Sequence, residues 1–177
     1  MMFARERASV ELFEEMEPLL RAHWREVARF LDIELDPDYP RYLTLENLGM
    51  LRIYTARQTE VSQDADSYSV NDRLIGYCVF LVANNMHYRK SLQAVQDVVF
   101  LDKAYRGRGM VFLDWCDRQL AAEGVAVVMH HIKSDHDWSA ALERRGYQLV
   151  DKIMAKRLGV PLGIETHATV AARNGSA

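Results

Sequence analysis

Four consecutive residues, Arg106-Gly107-Arg108-Gly109, lie between an apolar run ending at Leu101 and an amphipathic segment beginning at Met110. Where a strand passes through glycine-rich sequence into a helix, backbone N–H groups at the helix start lack intrahelical partners, and the helix dipole favours an anion there. Phosphate oxygens suit that array. Gly107 and Gly109 let a ligand approach the backbone with no Cβ in the way, and Arg106 and Arg108 offer charge-assisted hydrogen bonds. A tight surface turn with solvated arginines is the plain alternative. The P-loop pattern is absent, and so is the dinucleotide pattern Gly-x-Gly-x-x-Gly, because Phe112 stands where the third glycine would be.

Proton-transfer chemistry has three candidate groups nearby in sequence. Asp97 is the only carboxylate in the apolar run Leu92 to Leu101, where burial would raise its pKa; an Asp at a strand edge, or one paired with an arginine, is the alternative. His130 and His131 end another apolar run, and successive strand residues face opposite ways, so one of the two points to each side of a sheet. A histidine there can act as base or acid near neutral pH, or serve as a hydrogen-bonded structural residue. Asp135 and His136 follow closely, but the spacing matches no common zinc pattern and no metal is expected.

The elements that must position these groups follow from periodicity. Phe13, Leu20 and Val27 fall on one line of a long amphipathic helix from Val10 to Leu31, with Pro18 marking a kink or break. Asp32 to Pro40 reads as a loop and Arg41 to Leu48 as one or two helical turns. Leu51 to Arg57 and Leu74 to Ala83 read as a hairpin whose long, mobile tip is the polar stretch Gln58 to Asp72. Leu92 to Leu101 is a further strand. Met110, Leu113, Cys116 and Leu120 then share one helical face, with Gly124 as the C-terminal cap. Val125 to Ile132 reads as a central buried strand, Asp137 to Arg145 as a short helix closed by Gly146, and Tyr147 to Leu158 as a last strand. The pattern is an α/β (α+β) chain with 1–158 as a single domain and 159–177 as a tail.

Composition narrows the function classes. The chain has 177 residues, 49% hydrophobic and 27% charged, enough for one well-cored domain. Its net charge of -3 gives no general attraction to nucleic acid or to anionic membranes. No apolar run approaches the roughly 18 residues of a bilayer span, and no signal peptide is visible, so a cytoplasmic location is expected. Cys78 and Cys116 both lie in apolar settings and read as buried thiols rather than a disulfide. The long helix and the tail offer surfaces for self-association or a larger protein assembly.

The order strand, Arg-Gly-Arg-Gly, amphipathic helix, strand, short helix ending in Gly-aromatic, final strand resembles the general N-acetyltransferase (GNAT) superfamily over roughly Leu51 to Leu158. Its pyrophosphate motif is Arg/Gln-x-x-Gly-x-Gly/Ala. Arg106-Gly107-Arg108-Gly109-Met110-Val111 matches the first and fourth positions and departs at the sixth, Val111. The resemblance implies a mixed, mostly antiparallel sheet flanked by helices, and acetyl-CoA or another acyl-CoA as cofactor. It assigns the pyrophosphate to Arg106, Gly107, Arg108, Gly109 and Met110, and the pantetheine arm and acyl carbonyl to the backbone of Val99, Phe100 and Leu101. Asp97 stands where many members carry a Glu base, and one of His130 and His131 would face the acyl group. The family's acid, a Tyr four residues before the Gly of the Gly-aromatic pair, corresponds to Leu142 here. Tyr147 follows Gly146 as a packing aromatic.

Members also open with a strand, which would have to be Met2 to Arg5 in a chain that otherwise begins almost directly with its long helix. Two readings follow from the resemblance. One is an acyltransferase acting on an amine acceptor by direct attack. The other is a weakly catalytic or inactive GNAT-fold interaction or structural protein; the long helix and Met129-His130-His131 are loosely similar to GNAT-like proteins of tailed bacteriophages, with a virion or host-takeover role.

Overall fold

Strand pairing starts at the second residue. The computed structural model describes residues 1–30, 33–64, 67–156 and 158, with the backbone alone for 60–71. Five strands, β1 (Met2–Glu6), β2 (Leu51–Asp64), β3 (Ser67–Asn84), β4 (Leu92–Leu101) and β5 (Val127–Met129), form one sheet in that order. All neighbours pair antiparallel except β4 and β5, which run parallel. The helices are α1 (Val10–Val27), α2 (Tyr39–Asn47), α3 (Gly109–Ala122) and α4 (Ser139–Glu143). This is the mixed, mostly antiparallel sheet with flanking helices that the family resemblance implied. Among the described residues no helix is long and apolar enough to cross a membrane.

Alternation along the strands separates two cores. Tyr54, Cys78, Phe80 and Leu101 point to the face covered by Phe112, Leu113, Cys116 and Leu120 of α3 and Leu142 of α4. Ile53, Tyr77, Val79 and Phe100 point to the other face, against Leu12, Phe13 and Met16 of α1 and Tyr39, Tyr42 and Leu43 of α2. Cys78 and Cys116 are free and buried in the first core. Ser9 starts α1 by accepting the Leu12 N–H at 3.2 Å, and Asp38 starts α2 by accepting the Arg41 N–H at 3.0 Å.

Several sequence expectations need correction. The chain does not begin directly with its helix: Met2–Glu6 is an edge strand on β2. Pro18 lies inside a continuous α1, which stops at Val27 because Ala28 turns to an extended conformation; Leu31 lies outside the described residues. Pro40 belongs to the first turn of α2 rather than to a loop, a position where its missing N–H would be unpaired anyway. The polar stretch from 58 to 72 is not a loose tip. Its backbone continues the β2/β3 ladder to Asp64↔Ser67, past the pairings of β1 and β4, which end at Arg57 and Gly76.

The largest departures are at the C-terminal end. Val125 to Ile132 is not a central buried strand: only Val127–Met129 pairs, at the sheet edge, with Val127 42% exposed. No strand forms from 147 to 156, and Leu149, Val150, Ile153 and Met154 are exposed. An apolar run reports burial potential but not the neighbour needed to realise it. The tail 159–177 lies outside the described residues.

Candidate functional site

Strands β4 and β5 form a fork. Their parallel pairing covers Gln93↔Val127, Ala94↔Val128 and Val95↔Met129 and then stops. From Gln96 to Leu101, β4 has β3 on one side and, among the described residues, no strand on the other. Val99, Phe100 and Leu101, the expected cofactor-pairing residues, therefore lie on the arm that borders the opening, where Arg106 Nε already donates to the Leu101 carbonyl.

Asp97 occupies a β-bulge within this arm. The β3/β4 register steps from Val79↔Val98 to Phe80↔Gln96, leaving Asp97 with no residue opposite. A bulge shifts side-chain alternation by one. Accordingly Ala94 packs on the α3 side before it, while Val98 and Phe100 pack on the α1 side after it. Asp97 is exposed, not buried within the strand as its apolar neighbours suggest. Its Oδ2 accepts from the Tyr42 hydroxyl of α2 at 3.5 Å, and burial together with that carboxylate pushes the Tyr42 pKa up to about 12.

His130 and His131, adjacent in sequence, play different parts. His130 turns toward the α3 side and uses both ring nitrogens: Nδ1 lies 2.7 Å from Gln96 Oε1 and Nε2 lies 3.2 Å from the Tyr147 hydroxyl. That hydroxyl donates to the Asp117 carboxylate of α3 at 2.7 and 2.8 Å. With its only proton so used, Tyr147 accepts from His130 Nε2–H. Nδ1 is then an acceptor, best served by the NH₂ side of the Gln96 amide. Burial lowers the His130 pKa to about 4, with His131 adding to the effect, so the ring is neutral at pH 7. Burial also raises the Asp117 carboxyl. His131 is exposed and makes no hydrogen bond among the described residues. Tyr147, expected as a packing aromatic, thus also links α3 to the fork. Leu142 is 4% exposed in the core and offers no acid.

The turn after β4 is a 3-10 segment, Lys103–Arg108, that runs directly into α3. Asp102 opens it by accepting the Ala104 N–H at 3.0 Å. Some of the expected free donors are used locally: the Tyr105 N–H reaches the Asp102 carbonyl and the Gly109 N–H the Arg106 carbonyl. The glycines leave room that the fold itself does not need. A Cβ on Gly107 would meet nothing within 4 Å, and one on Gly109 only Leu101 Cδ2 at 4.0 Å. Met110 packs on the α3-side core, while Val111 is 53% exposed. Arg108 is exposed and makes no hydrogen bond or ion pair among the described residues.

Arg106 is not free. Its Nε donates to the Leu101 carbonyl at 3.3 Å, its guanidinium lies 5.8 Å from the Phe100 ring centroid, and its Nη2 donates to Glu26 of α1 at 2.6 Å. That hydrogen bond holds the Glu26 carboxyl below the usual range. Glu26 and His23, three residues apart on α1, were not singled out from the sequence, because charged and polar positions of an amphipathic helix carry no sign of which neighbour they will meet. His23 lies 3.3 Å from the Tyr77 hydroxyl and 5.2 Å from the Phe100 ring; burial lowers its pKa to about 4. Asp135 and His136 bind elements of the fold, Arg29 at 3.0 Å and the Glu26 carbonyl at 3.0 Å.

No protein-family model and no curated protein matches the sequence. Solved structures do match in shape. An aminoglycoside acetyltransferase from an uncultured soil metagenomic sample, in complex with sisomicin, superposes with a TM-score of 0.61 at 11% identity over 90% of this chain and 95% of that one. Glucosamine-6-phosphate N-acetyltransferase from Arabidopsis thaliana gives 0.59 at 10% identity over 90% and 100% of the two chains. A transcriptional regulator from Bacillus halodurans gives 0.64 at 13% identity over 88% and 99%. At these identities the likeness is one of fold: this chain shares its overall fold with solved acetyltransferases.

Proposed function

We propose that this chain is an acyl-CoA-dependent N-acyltransferase that passes an acetyl group to an amine by direct attack. The fork carries the reading: β4 and β5 part after Val95 and Met129, and the free arm of β4 leads straight into a glycine turn with open space above it. A narrow acyl thioester with a phosphorylated tail fits that shape. The outer backbone edge of Val99, Phe100 and Leu101 would hold the pantetheine arm, and the turn from Arg106 to Met110 the pyrophosphate, with Arg108 available as a cation. Bound there, acetyl-CoA supplies the activated acyl carbon.

The chain's own residues divide the proton work. Asp97 stands exposed at the bulge beside Tyr42, where it receives an ammonium acceptor and takes its proton. His130, with both ring nitrogens engaged, positions the fork instead of exchanging protons with the substrate. His131, exposed just beyond β5, gives a proton to the departing thiolate and regains one from water, to which Asp97 releases the proton it took. Thiol release from acetyl-CoA over a panel of primary amines tests this reading. Asp97→Asn and His131→Ala should each lower turnover about 100-fold or more while CoA binding persists. The buried Leu142 at the family's acid position favours a second reading, an acyl-CoA binder without turnover; CoA binding with no thiol release for any amine would select it.

A further inference from the structure

The last turn of α1 lies across the mouth of the fork and touches both of its lips. On the β4 side, the Glu26 carboxylate accepts from Arg106 Nη2 at 2.6 Å and lies 3.8 Å from Lys103 Nζ. On the β5 side, His136 Nε2 donates to the Glu26 backbone carbonyl at 3.0 Å, and Arg29 Nη1 reaches Asp135 Oδ2 at 3.0 Å. One residue thus joins the turn after β4 to the loop after β5, its side chain on one lip and its backbone on the other.

We propose that Glu26 is a resident counter-anion that straps the fork shut and is exchanged for the pyrophosphate of the incoming ligand. The inference rests on reading the glycine turn as the phosphate site. Arg106 and Lys103 are two cations of the Lys103–Arg108 turn, and a carboxylate already holds both. A pyrophosphate carries more negative charge than one carboxylate and more acceptor oxygens, so it competes for the same donors. The displaced carboxylate sits at the surface, where such pairs are weak and water replaces the lost partner. Losing Glu26 from Arg106 and Lys103 frees the β4 lip from the strap, which keeps its β5-side contacts to His136 and Asp135 and the His23 contact to Tyr77. The device makes opening depend on a polyanionic ligand, because a neutral thioester offers nothing to exchange for the carboxylate.

Calorimetric titration of CoA and of inorganic pyrophosphate into the unmodified chain and Glu26→Gln tests the exchange. A counter-anion that must leave opposes binding, so Glu26→Gln should bind both about two- to fivefold more tightly, the equivalent of one exposed ion pair. Equal or weaker binding by Glu26→Gln would overturn the strap while leaving acyl-CoA binding intact. Absence of binding by both proteins would overturn the acyl-CoA reading itself. A second readout uses the unmodified chain alone: the Ala28 N–H, bonded to the Trp24 carbonyl at 2.9 Å, closes α1. Its hydrogen exchange should accelerate when CoA saturates the site, and slowed or unchanged exchange contradicts the release.

Discussion

Gln96 and His130 face each other at 2.7 Å one residue beyond the last backbone pair of β4 and β5. The strands therefore do not drift apart. A side-chain hydrogen bond takes over where the ladder stops and fixes the vertex of the fork. Gln96 is 4% exposed, so Gln96→Leu leaves the His130 Nδ1 without its partner. The expected loss is about 1–3 kcal/mol of stability, the cost of an unsatisfied buried polar atom. Denaturant unfolding measures it; an unchanged midpoint would show that the vertex is held by something else.

Two half-buried histidines set an acid limit. Both His23 and His130 have pKa values lowered to about 4 from 6.5, first by burial. Below about pH 6.5 the unfolded chain takes up protons that the folded chain refuses, so stability falls as pH drops from about 6.5 toward 4. Each ring contributes a slope of up to about 1.4 kcal/mol per pH unit within that window. Asp117 works in the opposite sense, since its raised carboxyl takes a proton in the folded state first. Urea titrations at several pH values on the unmodified chain and on His23→Gln isolate one ring; removing it should flatten the decline.

Two glycines beside the site should respond in opposite ways to alanine. Gly76 of β3 lies opposite Leu101, and a Cβ there would sit 2.5 Å from Leu101 Cδ1 and 2.8 Å from the Phe100 carbonyl oxygen. Backbone cannot yield as a side-chain tip can, so Gly76→Ala should cost about 1–3 kcal/mol. Gly107 has open space around it and needs no left-handed backbone. Gly107→Ala should therefore leave stability equal or raise it by up to about 1 kcal/mol, while weakening CoA binding. Thermal melts with parallel titrations separate the two; a destabilised Gly107→Ala would make that glycine a folding residue.

What the sequence disclosed depended on whether the information was local. β4 was legible residue for residue because Leu92–Leu101 has β-favouring residues and a clear turn on each side. The Gly124 cap of α3 was legible because a glycine after an amphipathic run has one common use, and its φ is 86°. The reach of β2 and β3 past 57 and 74 was hidden, since the polar sequence from 58 to 72 carries no hydrophobic alternation to mark a strand. The exposed residues from 149 to 154 misled in the other direction: their apolar types resemble a strand whose partner is not there.

The candidate site divides in the same way. Arg106, Gly107 and Gly109 could be named from one short motif. Asp97 could be named, but not its bulge, which exists only in the register against β3. That Arg106 pairs with Glu26, 80 residues away, is a property of the folded chain alone. So is the division of labour between His130, bonded on both nitrogens, and His131, which has no such bonds among the described residues.

The central claim is that the fork and its glycine turn hold an acyl-CoA. Calorimetric titration of acetyl-CoA into the unmodified chain and into Gly109→Glu tests it most directly. The account predicts one binding site per chain in the unmodified protein, lost in Gly109→Glu, whose new carboxylate would occupy the open side of the turn and repel phosphate. No heat of binding at millimolar acetyl-CoA in the folded, unmodified chain, or equal binding by Gly109→Glu, would contradict it.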